Sequence, residues 1–386
     1  MREVVVIGAG MHRYGVFENK SISDLGTEAI RNALKDANME WENIEEAFCG
    51  TIQSGMSTGH QICNKMGLTG LGITNVENAS ASGSSAFREA FLSVASGMND
   101  VALAFGVDKL TTPQMRPPTQ ARPPEKKAET KPSEEEKKNQ ESTVRRGLPV
   151  FGFARLAQEH IKEYGTTLDQ LAQVSVKSHY NASLNPYAHF QKAVTLEEAK
   201  NARMVADPLT VLQCCPRDEG AAAVIICAKD IAKKYTDKVC PTVATSVLKS
   251  NYGQRDLSTL TRICAQLTYE KAGIGPEDLD LIELHDAFTI EEILYIEELG
   301  LCEKGEGGRL IEAGETSLTG KHPVNSSGGL ISMGHPIGPT GAGQIAEILW
   351  QMREECGKRQ IAKPVKTAMA HMVGAGGVCI IHLFKN

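Results

Sequence analysis

Short apolar runs alternate with segments of helical periodicity along most of the chain. The runs at 4–7, 101–105 and 221–226 are hydrophobic throughout, and glycines or charged residues flank them. Strands that are covered by helices on both faces have this pattern, because neither face meets water. The pattern therefore predicts an α/β architecture of layered sheets and helices.

The same order of strand, small-residue turn and helix occurs twice. In the first half, a strand end at 76–79 precedes a helix with one apolar face, formed by Ala86, Phe87, Ala90, Phe91 and Val94. In the second half, a strand end at 323–325 precedes a helix whose apolar face carries Ile345, Ile348, Leu349 and Met352. Residues spaced in this way lie on one side of a helix. The repetition predicts two duplicated halves.

The most abrupt change in composition lies within 111–143, where prolines alternate with charged residues. Such a segment buries too little apolar surface to offset the entropy lost on ordering. We interpret it as a solvent-exposed excursion, and the alternative is a surface insertion without function. The predicted domains are residues 1–235, which include a loop excursion over 111–207, and residues 236–386.

Composition places the chain among average globular proteins. Of its 386 residues 41% are hydrophobic and 23% charged, and the net charge is -6. This charge argues against nucleic acid as a main partner, and no window approaches the roughly 20 apolar residues of a membrane span. The ten cysteines are scattered without CxxC spacing, which predicts reduced thiols in the cytoplasm and no intrinsic metal site.

The first strand begins like a dinucleotide-binding fingerprint. Residues 4–15 read VVVIGAGMHRYG, but the third glycine is misplaced for GxGxxG and no acidic residue follows at the spacing of the ribose ligand. We therefore predict a first strand that turns tightly at its glycines, and no bound dinucleotide.

Four separated segments carry the candidate chemistry. They are Asn78-Ala79-Ser80-Ala81-Ser82-Gly83 before a helix, His285-Asp286-Ala287-Phe288 after a strand, Gly334-His335-Pro336-Ile337-Gly338, and His371-Met372-Val373-Gly374 before the last strand. In this order and spacing they resemble the thiolase family over essentially the whole chain. The variants in the second and fourth segments are similar to those of sterol-carrier-type and archaeal-type thiolases. The resemblance implies the thiolase fold, five layers α/β/α/β/α with two similar halves.

The resemblance also implies roles for individual residues. Ser80 falls where the family carries its nucleophilic cysteine, and His335 on the histidine that activates that nucleophile. His285 takes the place of an asparagine that positions a water in an oxyanion hole, and Asn325 is assigned to the substrate-binding set. His371 stands where ordinary thiolases have a second cysteine that acts as acid and base.

Elementary chemistry supports these positions. A nucleophile at the start of a helix lies in a positive end-field, beside backbone N–H groups that can receive an oxyanion. The N–H of Ser80 and one near Val373 or Gly374 are candidates for that hole. Removing a proton next to a thioester requires a base such as imidazole, so we expect His371 to be the base.

Ser80 is a departure from the family pattern. An alkanol is a much weaker nucleophile than a thiol, so its acyl ester is expected to turn over poorly. Three explanations remain open: a Cys→Ser replacement made in the laboratory, an enzyme that uses serine with His335 as base, and a thiolase fold that binds acyl-CoA or supports a partner without catalysis. Ala287 is a second departure, because related thiolases carry an acid/base cysteine there.

The resemblance implies an acyltransferase acting on a 3-oxoacyl-CoA, with coenzyme A as cosubstrate and no covalently bound cofactor. It further implies a homodimer and a small partner subunit with a zinc ribbon and an OB domain. One subgroup that the sequence resembles cleaves 2-benzoylsuccinyl-CoA to benzoyl-CoA and succinyl-CoA in anaerobic toluene degradation. The alternative class is a non-catalytic acyl-CoA-binding or scaffolding subunit of a multienzyme complex.

Overall fold

The computed structural model describes residues 2–52, 54–110, 149–251 and 257–386. The predicted excursion at 111–143 lies outside these ranges. The prediction of loop over 111–207 is wrong for most of 149–207, where three helices occur. None of the helices in the described ranges is long and apolar enough to cross a membrane.

The strands of the described chain, in order from β1 to β11, are Val4–Gly15, Glu46–Gly50, Gly72–Val76, Val101–Asp108, Met204–Ala206, Leu209–Thr210, Glu219–Ala228, Thr242–Ser250, Leu281–Glu283, Thr367–Gly374 and Val378–Lys385. The α-helices, in order from α1 to α10, are Ile22–Ala37, Thr58–Met66, Ser82–Ser96, Pro149–Tyr164, Leu168–Ser183, Leu196–Asn201, Leu257–Ala272, Thr289–Glu298, Gly307–Glu312 and Thr340–Met352. A short π-helix covers Gly329–Met333.

Nine strands follow one another in the order β3-β2-β4-β7-β1-β8-β11-β10-β9. The first five belong to the first half of the chain and the last four to the second. The two blocks meet where β1 pairs with β8, at Val5 and Thr242.

Three apolar clusters show how the layers stack. One cluster joins α1 and α2 to one face of the first block of strands. A second packs α3 and α10 between the two blocks and includes strand residues of both, such as Val224 and Phe384. A third packs α7 and α8 against the far face of the second block. The resulting order is helix, sheet, helix, sheet, helix, which confirms the predicted five-layered α/β fold.

The first strand differs from its prediction. β1 continues to Gly15 instead of turning at Gly8 and Gly10, with irregular register only after Val6 and after His12. The two glycines serve helix packing: a Cβ atom at Gly10 would lie 2.2 Å from the backbone nitrogen of Ala33 in α1. Glycine at this position indicates close approach between helix and strand, not a turn.

The predicted apolar faces of the two central helices are confirmed. All five residues predicted on the first helix lie in α3 and all four on the second lie in α10, and every one is buried in the cluster between the sheets. Both helices therefore begin in the middle layer, where the ends of the two sheets bring the polar motifs together.

Candidate active site

Ser80 lies in a tight turn between β3 and α3. The preceding residue, Ala79, has a left-handed backbone with φ 49°. Ser82 fixes the turn, since its Oγ accepts a hydrogen bond from the N–H of Asn78 at 2.9 Å and donates to the carbonyl of Ala79 at 2.6 Å. The amide of Asn78 also donates to Ser85 Oγ at 2.8 Å. Half-buried Ser80 therefore lies just before the first turn of α3.

His335 is in direct contact with Ser80. Its Nε2 lies 3.0 Å from Ser80 Oγ, and its Nδ1 lies 2.8 Å from Thr340 Oγ1 at the start of α10. Burial, followed by the nearby charge of His285, lowers the pKa of His335 well below its ordinary value. A neutral ring has one nitrogen available as acceptor. The hydroxyl of Thr340 can hold Nδ1–H, which leaves Nε2 to take the proton of Ser80.

Two buried aspartates hold the loop that carries His335. Asp108, the last residue of β4, accepts from the N–H of Gly338 at 2.7 Å, and Asp218 accepts from the N–H of His335 at 3.1 Å. Burial raises the pKa of Asp218 to about 6, and contact with His189 opposes that rise. A Cβ atom at Gly83 would lie 2.5 Å from the carbonyl oxygen of Gly338, so the loop also touches the start of α3.

His285 packs beside His335. The two rings are nearly perpendicular, with centroids 5.4 Å apart. Nδ1 of His285 lies 3.1 Å from Oε1 of Glu291, a fully buried residue in α8. The N–H of Phe288 donates to the other carboxylate oxygen at 3.0 Å, and the hydroxyl of Tyr295 donates to Oε1 at 3.1 Å. The HDAF segment thus folds over a carboxylate that orients its histidine.

His371 lies deeper than the other two histidines. It is 0% exposed in β10, its Nε2 is 3.0 Å from Thr261 Oγ1, and its ring meets that of Tyr295 edge-on with centroids 4.9 Å apart. Its Nδ1 has no hydrogen-bond partner among the described residues. Burial, with the charge of His285 second, lowers the pKa of His371 to about 3.

The three predicted substrate-binding residues border the same region. A Cβ atom at Gly374 would lie 2.3 Å from the carbonyl oxygen of Asn78, so glycine lets the end of β10 approach the Ser80 turn. Its neighbour Val373 is buried. Asn325 has φ 55°, and its Oδ1 accepts from the N–H of Leu284 at 2.8 Å, one residue before His285. Its amide nitrogen has no partner in the described part of the chain.

A cluster of buried charges underlies the turn after Asn325. Ser326 Oγ lies 2.8 Å from Glu283 Oε1 and 3.2 Å from Glu347 Oε1. Arg359 pairs with Glu347 through Nε at 3.1 and 3.0 Å. Burial and the charge of Glu347 raise the pKa of Glu283 to about 7.

The structure thus brings Ser80, His335 and His285 together, and places His371 behind them. Sequence reasoning missed Thr340, Asp108, Asp218 and Glu291. Glu291 and Thr340 each follow a motif histidine by five or six residues, so their spacing was a usable signal. Asp108 and Asp218 gave none, because only the tertiary structure brings them to the loop. Within the described ranges, no three His, Cys, Asp or Glu side chains are grouped to hold a metal ion.

Two sequence-family models match the chain. "Thiolase, N-terminal domain" matches residues 4–230, and "Thiolase C-terminal domain-like" matches residues 244–382. The chain is 40% identical to an acetyl-CoA acetyltransferase of Methanothermobacter thermautotrophicus, with 100% of both chains covered. It is 38% identical to the benzoylsuccinyl-CoA thiolase subunit BbsB of Thauera aromatica, covering 97% of this chain and 95% of the relative.

Solved structures with the same fold are more distant in sequence. The Ltp2-ChsH2(DUF35) aldolase has a TM-score of 0.80 at 20% identity, and covers 98% of this chain and 97% of its own. Human mitochondrial 3-ketoacyl-CoA thiolase has a TM-score of 0.75 at 17% identity, with coverage of 100% and 99%. At these identities the likeness concerns the fold.

Proposed function

The chain belongs to the thiolase family of acyltransferases, and we propose that it moves an acyl group between a 3-oxoacyl-CoA and coenzyme A through Ser80. The observation that carries this proposal is the 3.0 Å separation between Ser80 Oγ and His335 Nε2. A hydroxyl in contact with a neutral imidazole, just before a helix N-terminus, is a standard arrangement for nucleophilic catalysis.

In the thiolysis direction, Ser80 Oγ attacks the 3-oxo carbon while its proton passes to His335 Nε2. The bond between carbons 2 and 3 breaks, and its electron pair stays on carbon 2 as the enolate of the departing acyl-CoA, which then takes a proton. The thiol of coenzyme A then gives its proton to the group that protonated carbon 2, its sulfur attacks the ester on Ser80, and Ser80 Oγ leaves with the proton held by His335. Condensation is the same sequence reversed.

The negative charge that develops on a substrate oxygen during the reaction needs hydrogen-bond donors nearby. We assign the start of α3 and the backbone near Val373 and Gly374 to this role, because preorganised donors stabilise an oxyanion most effectively in a site that excludes water. Asn325 is assigned to substrate binding. The role of His371 as the base at carbon 2 stays a prediction.

The proposed substrate is 2-benzoylsuccinyl-CoA, cleaved to benzoyl-CoA and succinyl-CoA, with coenzyme A as cosubstrate and no metal or covalently bound cofactor on this chain. The 38% identity to the benzoylsuccinyl-CoA thiolase subunit supports this substrate, and the 40% identity to an acetyl-CoA acetyltransferase supports thiolase chemistry on an acyl-CoA more broadly. The scattered cysteines support the cytoplasm as the compartment.

We further propose that the chain forms a homodimer that binds a small subunit with a zinc ribbon and an OB domain. Two similar proteins support the second part: the relative from Thauera aromatica is a subunit, and the aldolase neighbour combines Ltp2 with ChsH2(DUF35). Native mass spectrometry of the protein co-expressed with its genomic neighbours tests both stoichiometries.

Intact-mass analysis tests the function itself. After incubation with acetyl-CoA or 2-benzoylsuccinyl-CoA, we expect an acyl adduct on Ser80 that the Ser80→Ala variant lacks. Ser80→Cys should release products at least about tenfold faster, because a thiol is the better nucleophile and leaving group. Binding of acyl-CoA without an adduct, together with no thiolysis by Ser80→Cys, would instead establish the non-catalytic acyl-CoA-binding subunit.

A further inference from the structure

The proposed reaction needs a group that adds or removes a proton at carbon 2, and two buried histidines compete for that role. His371 is 0% exposed: its Nε2 is engaged by Thr261, and its Nδ1, which has no partner among the described residues, is also buried. The side chain of His285 retains 7% of its surface and lies against His335, the residue that touches Ser80. A catalytic base must come within hydrogen-bond reach of the proton that it takes. Access therefore favours His285.

Glu291 gives His285 the arrangement that proton transfer requires. Its carboxylate oxygen lies 3.1 Å from Nδ1, so it fixes the tautomer with the proton on Nδ1 and leaves Nε2 as the acceptor. The N–H of Phe288 and the hydroxyl of Tyr295 hold the carboxylate in place. Glu291 is 0% exposed, so water does not weaken the pair.

We propose that His285 is the acid and base at carbon 2 of the acyl-CoA, and that Glu291 is the positioning residue that fixes its tautomer. This inference rests on the proposed function. In the condensation direction the C–H bond at carbon 2 breaks, its proton passes to His285 Nε2, and its electron pair forms the enolate. In thiolysis His285 Nε2–H returns a proton to that carbon.

The titratable groups around His285 come from several elements. Glu291 and Tyr295 face it from α8, His335 from its loop, and His371 from β10. The charge of His285 lowers the pKa of both other histidines. When His285 holds the proton its neighbours therefore stay neutral, and Glu291 is the anion that compensates it.

A second buried histidine–glutamate pair, whose glutamate also lies on α8, provides a matched control. His160 Nε2 lies 3.2 Å from Glu297 Oε2, and both side chains are at most 3% exposed. Glu297 also accepts from the N–H of Gly307 at 2.9 Å. Glu297→Gln therefore removes the same charge from a similar histidine pair, in the helix that carries Glu291, without touching the motifs around Ser80.

The test measures deuterium exchange at carbon 2 of acetyl-CoA and succinyl-CoA by NMR, in the Ser80→Ala protein. This background cannot transfer an acyl group to residue 80. The search for an acyl adduct on the parent protein tests the proposed function. The exchange measurement in the Ser80→Ala protein tests the role of His285 separately.

We expect His285→Gln to lower exchange by about 100-fold or more, within the usual range for loss of a general base. Glu291→Gln should lower it about tenfold. Glu291→Asp, which keeps a carboxylate at this position, should recover most of the rate, and Glu297→Gln should leave the rate unchanged. Melting temperatures establish that each variant is folded.

Three results would overturn the inference. The first is exchange that survives His285→Gln but is lost in His371→Gln. The second is a Glu291→Asp variant that is as slow as Glu291→Gln, since a carboxylate at this position would then make no difference to the rate. The third is no exchange with either probe in the Ser80→Ala protein.

Discussion

The turns at Ser80 and Ser326 have similar backbones but differ in the burial and the contacts of their serines. Each serine follows a non-glycine residue with a left-handed backbone, Ala79 in one half and Asn325 in the other. Ser80 is half-buried, and its Oγ meets a neutral imidazole. Ser326 is fully buried between Glu283 and Glu347.

The elements that come after each turn explain the difference. α3 begins two residues after Ser80, whereas a π-helix and the His335 loop separate Ser326 from α10. The second half therefore supplies the histidine, and its turn is anchored by buried charge. Of the two similar turns, one carries the proposed nucleophile and the other belongs to a buried hydrogen-bond network.

The largest effect on stability is expected from removing the buried charge of Arg359, in the cluster next to the turn at Ser326. Arg359→Met leaves Glu347 buried without its partner, which should lower the free energy of unfolding by about 3–5 kcal/mol. Urea denaturation measures the change. Lys229→Met removes an exposed pair with Glu3 and should cost less than about 1 kcal/mol. Equal effects of the two variants would show that the buried cluster does not anchor the turn.

The second prediction concerns the pH dependence of stability that arises from Asp218, which accepts a hydrogen bond from the N–H of His335. Because the pKa of Asp218 is raised from 3.8 to about 6, the folded state holds this proton more tightly than the unfolded state does. Its stabilising contribution is full below the unfolded value and is lost as pH rises through about 6, a change of about 3 kcal/mol.

Asp218→Asn removes that titration while keeping an acceptor for the N–H of His335. The free energy of unfolding of the variant relative to the parent should therefore rise between pH 4 and pH 7, by up to about 3 kcal/mol. Urea titrations at both pH values measure it. A difference that is the same at pH 4 and pH 7 would refute the assignment.

The third prediction compares replacement of each of the two serines by alanine. Ser326→Ala removes one hydrogen-bond donor from the buried carboxylates of Glu283 and Glu347 and should lower the free energy of unfolding by about 1–3 kcal/mol. The acyl adduct on Ser80 should still form. Ser80→Ala should do the reverse, losing the adduct with a smaller change in stability. Thermal melting measures the stability of both variants, and intact-mass analysis measures their adducts. Loss of the adduct in Ser326→Ala, or a larger loss of stability in Ser80→Ala, would contradict the prediction.

The smallest effect is expected at Thr340. Thr340→Val removes the hydroxyl beside His335 Nδ1 while keeping the shape of the side chain, so acylation of Ser80 should slow about 3- to 10-fold, the value of one ordinary hydrogen bond. Rapid-quench mass analysis measures the rate. Thr340→Ser keeps the hydroxyl and should stay near the parent rate; an equally slow Thr340→Ser would mean that the methyl group, not the hydrogen bond, matters.

Much of the fold could be predicted from the sequence. The apolar runs identified strands buried on both faces, and the spacing of Phe87 and Ile345 with their neighbours identified the faces of α3 and α10, because apolar periodicity follows directly from burial. The extent of β1 could not be predicted in this way. Gly8 and Gly10 suggest a turn locally, and only the nearby helix α1 explains why the strand continues.

Part of the candidate site could likewise be predicted from the sequence, and part could not. Ser80 and the three motif histidines were predicted from the sequence as candidate site residues, because the segments that carry them resemble the motifs of the thiolase family. The three-dimensional arrangement was needed to show which histidine meets Ser80, which one is buried behind it, and which carboxylate pairs with His285. Those outcomes depend on contacts across hundreds of residues, and the burial that sets the histidine pKa values exists only once the two sheets enclose the middle layer.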